Sequence, residues 1–238
     1  MRTLFFSMTR FVACIATLGV SATAHAVVLV QTSDPGFYNN AIGNVLNDTN
    51  GGDTPTGYFP SSNDASVSFP APAAPDLSAA STALGNWLTA PLSLNSNWNL
   101  LANIPNSWAV GTEVAVMYQF NTLSATNVVA SFGVDNGIFA WLDGVYLGGA
   151  RAGGGVSLGE HVFNVGNLTA GTHFLQLLLE DHGAVNGYAV SITADAFTPG
   201  PPPVPNQNLP EPGSLALMAV GAAGLMAARR RKSGANAA

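Results

Sequence analysis

An all-β fold, an antiparallel β-sandwich with a loop-rich N-terminal part, is what this 238-residue sequence predicts, and three observations carry the prediction. The first is a two-residue period: Val114, Val116, Tyr118 and Phe120 alternate with Ala115, Met117 and Gln119, as in a strand with one well-buried face. The second is recurrence, because similar short apolar runs follow at close intervals to Ala194, with glycine turns and no long helix between them. The third is composition: 26 Gly, 15 Pro and almost no lysine suit an exported β-protein held by packing and turns rather than by surface ion pairs. To this body the sequence adds one or two short helices, an N-terminal signal helix and a single C-terminal membrane helix.

Residues 1–26 read as a secretory signal peptide. Arg2 and Arg10 give a positive start, residues 11–20 are apolar, and Ala24 and Ala26 are the small residues a signal peptidase reads, so cleavage falls before Val27. Val12-Ala13-Cys14 offers a lipoprotein alternative, against which Arg10 interrupts the apolar run. Cys14 is the chain's one cysteine. Its removal with the signal leaves no disulfide, thiol nucleophile or cysteine metal site.

The folded domain is expected over 27–197, loop-rich over 27–107 and with its main strands over 108–197. In the first part the turn residues Asp34-Pro35-Gly36, Asn50-Gly51-Gly52-Asp53, Pro70, Pro72 and Pro75 are dense. Helical spacing of Phe37, Ala41, Val45 and Leu46 predicts a short helix over 37–46. Leu77, Ala80, Leu84, Trp87 and Leu88 predict another over 76–88, capped by Asp76. Strands follow at 114–120, 128–134, 138–142, 145–147, 161–165, 172–179 and 188–194. Asp143-Gly144 is a two-residue hairpin turn between apolar runs.

Residues 198–208, with five prolines and no apolar period, form a semi-rigid extended linker. Residues 215–228 hold only Leu, Ala, Met, Val and Gly, and Arg229, Arg230, Arg231 and Lys232 follow. At ~1.5 Å per residue that apolar run is roughly 21 Å long, short of a ~30 Å hydrocarbon core. The cations stay in the cytoplasm and leave the bulk of the protein outside. Residues 233–238 are expected to form a disordered tail.

Apart from the two targeting segments, twelve acids from Asp34 to Asp195 face a single cation, Arg151. Such a surface repels nucleic acid and anionic membrane. Asp135, Asn136, Asp143, Glu180 and Asp181 stand at strand ends, where oxygen ligands for a structural Ca²⁺ could gather, although Asx turn capping accounts for each as well. Glu180 and Asp181, as strand neighbours, point to opposite faces and do not form a glycosidase pair. No cofactor is expected, and His161 and His173 lack zinc spacing. Trp98 and Trp108, near the Asn-rich residues 95–107, are the candidates for an exposed sugar-stacking platform, while Trp141 belongs to a core strand.

Pro210-Glu211-Pro212, then a short apolar helix, then the arginine cluster Arg229, Arg230 and Arg231, resembles the PEP-CTERM sorting signal of exopolysaccharide-producing Gram-negative bacteria. The resemblance implies an exosortase, a membrane-embedded cysteine protease or transpeptidase, cutting near Pro210 to Pro212. The inner membrane is then only a transient anchor, and the protein ends at the cell surface or in the extracellular matrix. An ordinary single-span anchor is the alternative. Residues 134–144 and 168–182 resemble the acidic turn, strand and hairpin of galactose-binding-like jelly rolls, which implies a module that binds carbohydrate. The function expected is thus a non-catalytic polysaccharide-binding or structural protein of an exopolysaccharide biofilm. The alternatives are an adhesive surface protein without a defined ligand and a secreted hydrolase.

Overall fold

The computed structural model describes residues 26–51, 69–71, 73–152, 155–181, 183 and 185–201. The expected signal helix with Ala24, the membrane helix, the sorting residues Pro210, Glu211, Pro212, Arg229, Arg230 and Arg231, and the tail lie outside them. Among the described residues no helix is long and apolar enough to cross a membrane.

The body is all-β, one curled antiparallel sheet organised by a 30-residue strand, β5 (Glu113–Leu142). The segments expected as strands at 114–120, 128–134 and 138–142 are limbs of this one strand. β8 (Gly171–Glu180) runs between the first limb and the last: Leu175 is opposite Tyr118 on one side and Leu142 on the other. β2 (Gly36–Gly43) and β4 (Asn99–Leu101) extend the sheet beyond the first limb. β6 (Val145–Ala152) and β3 (Phe69–Ala71) extend it beyond the last. The middle limb pairs instead with β7 (His161–Leu168) and β9 (Gly187–Ala194), and β9 pairs with β1 (Val27–Gln31). β1 starts at the residue expected to follow signal cleavage.

Alternation explains where the apolar side chains go. Val114, Val116, Tyr118, Ile138, Ala140, Leu175, Leu177 and Leu179 face inward and meet Val128, Ala130, Phe132, Val190 and Ile192 in the main core. The intervening residues Ala115, Met117, Phe139, Trp141, Phe174 and Leu178 form a second core on the outer face, covered by Ile42, Leu46, Leu84, Trp87 and Trp98. β8 reads as a continuous apolar run because both its faces are buried. The loop-rich N-terminal part is therefore the lid of this outer core. Trp87 is its centre, with ring centroids 5.5 Å from Trp98 and 5.6 Å from Trp141. Trp87→Ala is expected to cost about 3–5 kcal/mol, read as a lower urea midpoint.

Three local expectations change. Residues 37–46 are not helical: residues 36–43 are β2, with Tyr38 in the inner core and Phe37 against the outer one, and Gly43 turns the chain out at φ 68°. The slot beside the first limb of β5 imposes a period of two on residues that also match 3.6. The second helix shrinks to a 3-10 turn, Ser78–Ala80, and α1 (Ser81–Leu84), and Gly85 at φ 60° ends it. Its buried residues Ala80 and Leu84 are those the spacing identified. Finally, β10 (Ala196–Pro199) pairs with residues 122–126, so the first part of the expected linker belongs to the sheet. The Asp143-Gly144 hairpin forms as expected, with φ of 52° and 77°.

Candidate functional site

Strand direction divides the molecule into two ends. The middle limb of β5 leaves Asn127 and reaches Val134, roughly 23 Å at ~3.3 Å per residue. At its far end lie Asp135 and Asn136, the end of β8 at Glu180, the start of β9 at Gly187, and the segments 105–112, 155–160 and 185–186. Asn136 Nδ2 donates to Asp135 Oδ1 at 2.8 Å. Glu160 ties its loop to the sheet by accepting from Val134 N and Ser157 N, both at 3.1 Å. At Gly133 the Ser157 backbone stands where a Cβ would be. A Gly133→Ala protein should lose about 1–3 kcal/mol, seen as a drop in Tm, because backbone cannot step aside as a side chain can.

Asp181 accepts from Gly111 N at 2.8 Å through Oδ2 and from Gly183 N at 3.0 Å through Oδ1. Trp108 and Asn186 bond reciprocally, Trp108 N to Asn186 Oδ1 at 2.9 Å and Asn186 Nδ2 to Trp108 O at 3.0 Å. Asp135, Asn136, Glu180, Asp181 and Trp108 therefore share one end of the sheet. Asp143 does not. It sits by the start of β8, where Oδ1 accepts from Phe174 N at 2.7 Å and Oδ2 lies 2.7 Å from His173 Nδ1. The five residues expected around Ca²⁺ are thus divided between two ends. Among the described residues no group of three or more His, Cys, Asp or Glu is placed to hold a metal ion. The carboxylates of Asp143 and Asp181 are occupied by backbone N–H donors, the turn-capping role open to Asp side chains.

The feature that sequence reasoning missed is a buried polar row on the outer face. Cross-strand register runs from Arg151 to Gly137, Glu180 and Glu113. Residues opposite one another in an antiparallel pair share a face. Arg151, Glu180 and Glu113 are 0%, 1% and 3% exposed. Gly137 makes the row feasible, since its missing side chain leaves the space filled by the Glu180 carboxylate. Burial, reinforced by the charge of Glu180, raises the Glu113 carboxyl to about 8 against partial relief from a backbone hydrogen bond. Among the described residues its Oε2 has no hydrogen-bond partner. The one signal in the sequence was the solitary status of Arg151.

The aromatics require a correction. Trp98, expected exposed, is 8% exposed, with Nε1 donating to Leu84 O at 3.1 Å. The Asn-rich stretch around it serves the helix end: Asn95 Nδ2 donates to Thr82 O and Asn97 Nδ2 to Ala83 O, both at 3.1 Å. These amides satisfy carbonyls that a short helix leaves free and so fold the indole inward. Trp108 is half-buried and keeps its place at the loop end, its Nε1 donating to Thr112 O at 2.9 Å. Trp141 is a core residue, as expected.

Beyond β10 the chain runs through its prolines to the Pro210-Glu211-Pro212 triplet, the apolar stretch and the arginines. Residues 208–232 match the PEP-CTERM protein-sorting motif. The chain carries a PEP-CTERM sorting signal. A PEP-CTERM signal implies an exported protein whose C-terminal anchor is cut off by an exosortase. No curated protein matches the chain. Among solved structures, a PA14 sugar-binding domain from an RTX adhesin aligns at 15% identity with a TM-score of 0.29, over 45% of this chain and 56% of that one. This chain thus spans little more than half of that domain, a similarity too distant to assign the fold.

Proposed function

We propose that this PEP-CTERM protein is a non-catalytic module of the extracellular polysaccharide matrix, a jelly-roll-like β-sandwich that binds polysaccharide through its loop end after exosortase has released or transferred it. The sorting signal at 208–232 carries the reading. Three features support it. Every strand pairing among the described residues is antiparallel. The sequence between the targeting segments has no cation other than the buried Arg151, which suits a protein that stays off anionic membranes. The adjacent carboxyl groups of Glu113 and Glu180 are enclosed, which favours a packing role over hydrolysis.

Intact mass of the extracellular protein tests the sorting half: it should start at Val27 and end near Pro210 to Pro212. Substitution of that triplet should retain the chain to its C-terminus. Affinity electrophoresis through gels holding the producer's own exopolysaccharide tests the binding half. The native protein should be retarded, and Trp108→Ala should lose most of the retardation. Unretarded but folded native protein would favour a purely structural or adhesive role. Release of reducing sugar that disappears in Glu180→Gln would make the protein a hydrolase.

A further inference from the structure

The end of the sheet opposite the candidate site gathers the start of β1, expected to follow signal cleavage, and β10, which leads toward the sorting signal. Val27, the first residue after the expected signal cut, is paired with Ala194. One residue on, Asp195 N donates to Thr126 O at 3.0 Å and Asp195 Oδ2 accepts from Asn127 Nδ2 at 2.8 Å. β10 then runs back along 122–126, with Phe197 packed against the main core. Gly200 N donates to Asn121 O at 3.1 Å and Asn121 Nδ2 donates to Pro201 O. The chain is therefore held to the sheet as far as Pro201, well into the proline-rich stretch.

This changes the reach of the sorting segment. Pro201 is held to the sheet, so at most the eight residues 202–209 are left to separate it from Pro210. In extended form, at ~3.1 Å per residue, they span roughly 25 Å. Without β10 the spacer would begin at residue 196 and reach roughly 43 Å on the same scale. At its other end Pro212 lies three residues before Leu215, where the apolar run starts, so a cut there falls in the headgroup layer. A folded body cannot follow the chain into a membrane-embedded active site, so this distance has to clear it.

We infer that β10 is a fixed spacer stop: it presents the 121–127 end of the fold to the exosortase and sets how far the body stands from the scissile segment. The inference rests on the sorting reading above. It also orients the protein, with the 121–127 end toward the membrane and the loop end carrying Trp108, Asp135 and Asp181 away from it, free to meet polysaccharide before release.

The test follows C-terminal cutting of the full-length chain in the producing cells by pulse-labelling and intact mass. Deletion of residues 202–207 leaves the matched motif whole and should slow cutting by about tenfold or more, because the remaining spacer no longer spans the distance. A six-residue Gly-Ser replacement of the deleted piece should restore the rate to within about twofold. Ser124→Cys with Thr198→Cys would lock β10 across a directly paired position in the oxidising compartment. With the native spacer this lock should leave the rate within about twofold of wild type, since the strand stays paired during cutting. Wild-type cutting of the deletion, or loss of cutting in the locked protein, would overturn the spacer stop. Cutting that survives substitution of Pro210, Glu211 and Pro212 would instead overturn the sorting reading, so the two failures are distinct.

Discussion

Arg151→Met should destabilise the mature protein by about 3–5 kcal/mol at pH 7, read from the urea midpoint, a large part of the ~5–15 kcal/mol that holds a typical domain. The residue is the only cation of the folded body and is 0% exposed, directly across from Gly137, whose missing side chain leaves the space that the Glu180 carboxylate fills. Methionine fills similar volume, so the loss is electrostatic: the charge of Glu180 keeps its burial and loses the one cation of the row. Adding Glu180→Gln to Arg151→Met should recover most of the loss, because the charge left stranded is then gone. A double variant no more stable than Arg151→Met alone would show that packing, not charge, was lost. Gly137→Ala should also destabilise, since the new methyl group occupies the space of the Glu180 carboxylate.

Glu113→Gln should make the protein more stable at pH 8 and flatten its stability between about pH 4.5 and 8. The folded carboxyl titrates near 8 against an ordinary 4.5. Below about 4.5 the group is protonated in both states and its contribution is intact. Above that, the unfolded chain releases its proton while the folded chain keeps it, so stability falls with rising pH by up to ~1.4 kcal/mol per unit. The fall ends once the folded carboxyl ionises near 8. Glutamine keeps the shape and carries no charge, so the slope should vanish from a series of urea midpoints across this window. An unchanged slope in Glu113→Gln would assign the pH dependence to other groups. With Arg151 as sole counter-charge, the row accommodates one carboxylate, and burial keeps the second carboxyl neutral.

Much of the strand body was legible because its signals are local. Alternation at 114–120 located a strand and both its faces, and Asp143-Gly144 located a hairpin, since a two-residue turn with positive φ favours those residues. The N-terminal part was less legible. Phe37, Ala41, Val45 and Leu46 fit a helix face, yet Phe37 also fits a strand, and only the vacant edge beside β5 selects the strand. The asparagines near Trp98 read as surface because amides usually are, yet here they satisfy helix carbonyls.

The sequence by itself determined a PEP-CTERM end and, ahead of it, an acidic stretch from Val27 on with no cysteine. Each is read by cellular machinery or by bulk electrostatics from a contiguous stretch, so no folding is needed to decode it. Tertiary structure alone decided that Asp143 lies far from Asp135 and Asp181, that Trp98 is core, and that Arg151 stands in a row with Glu180 and Glu113. It also decided that residues 196–199 pair with the sheet as β10. Those relations join residues tens of positions apart through strand register, and register is set by which faces a folded sheet buries, a quantity that no single stretch of chain contains.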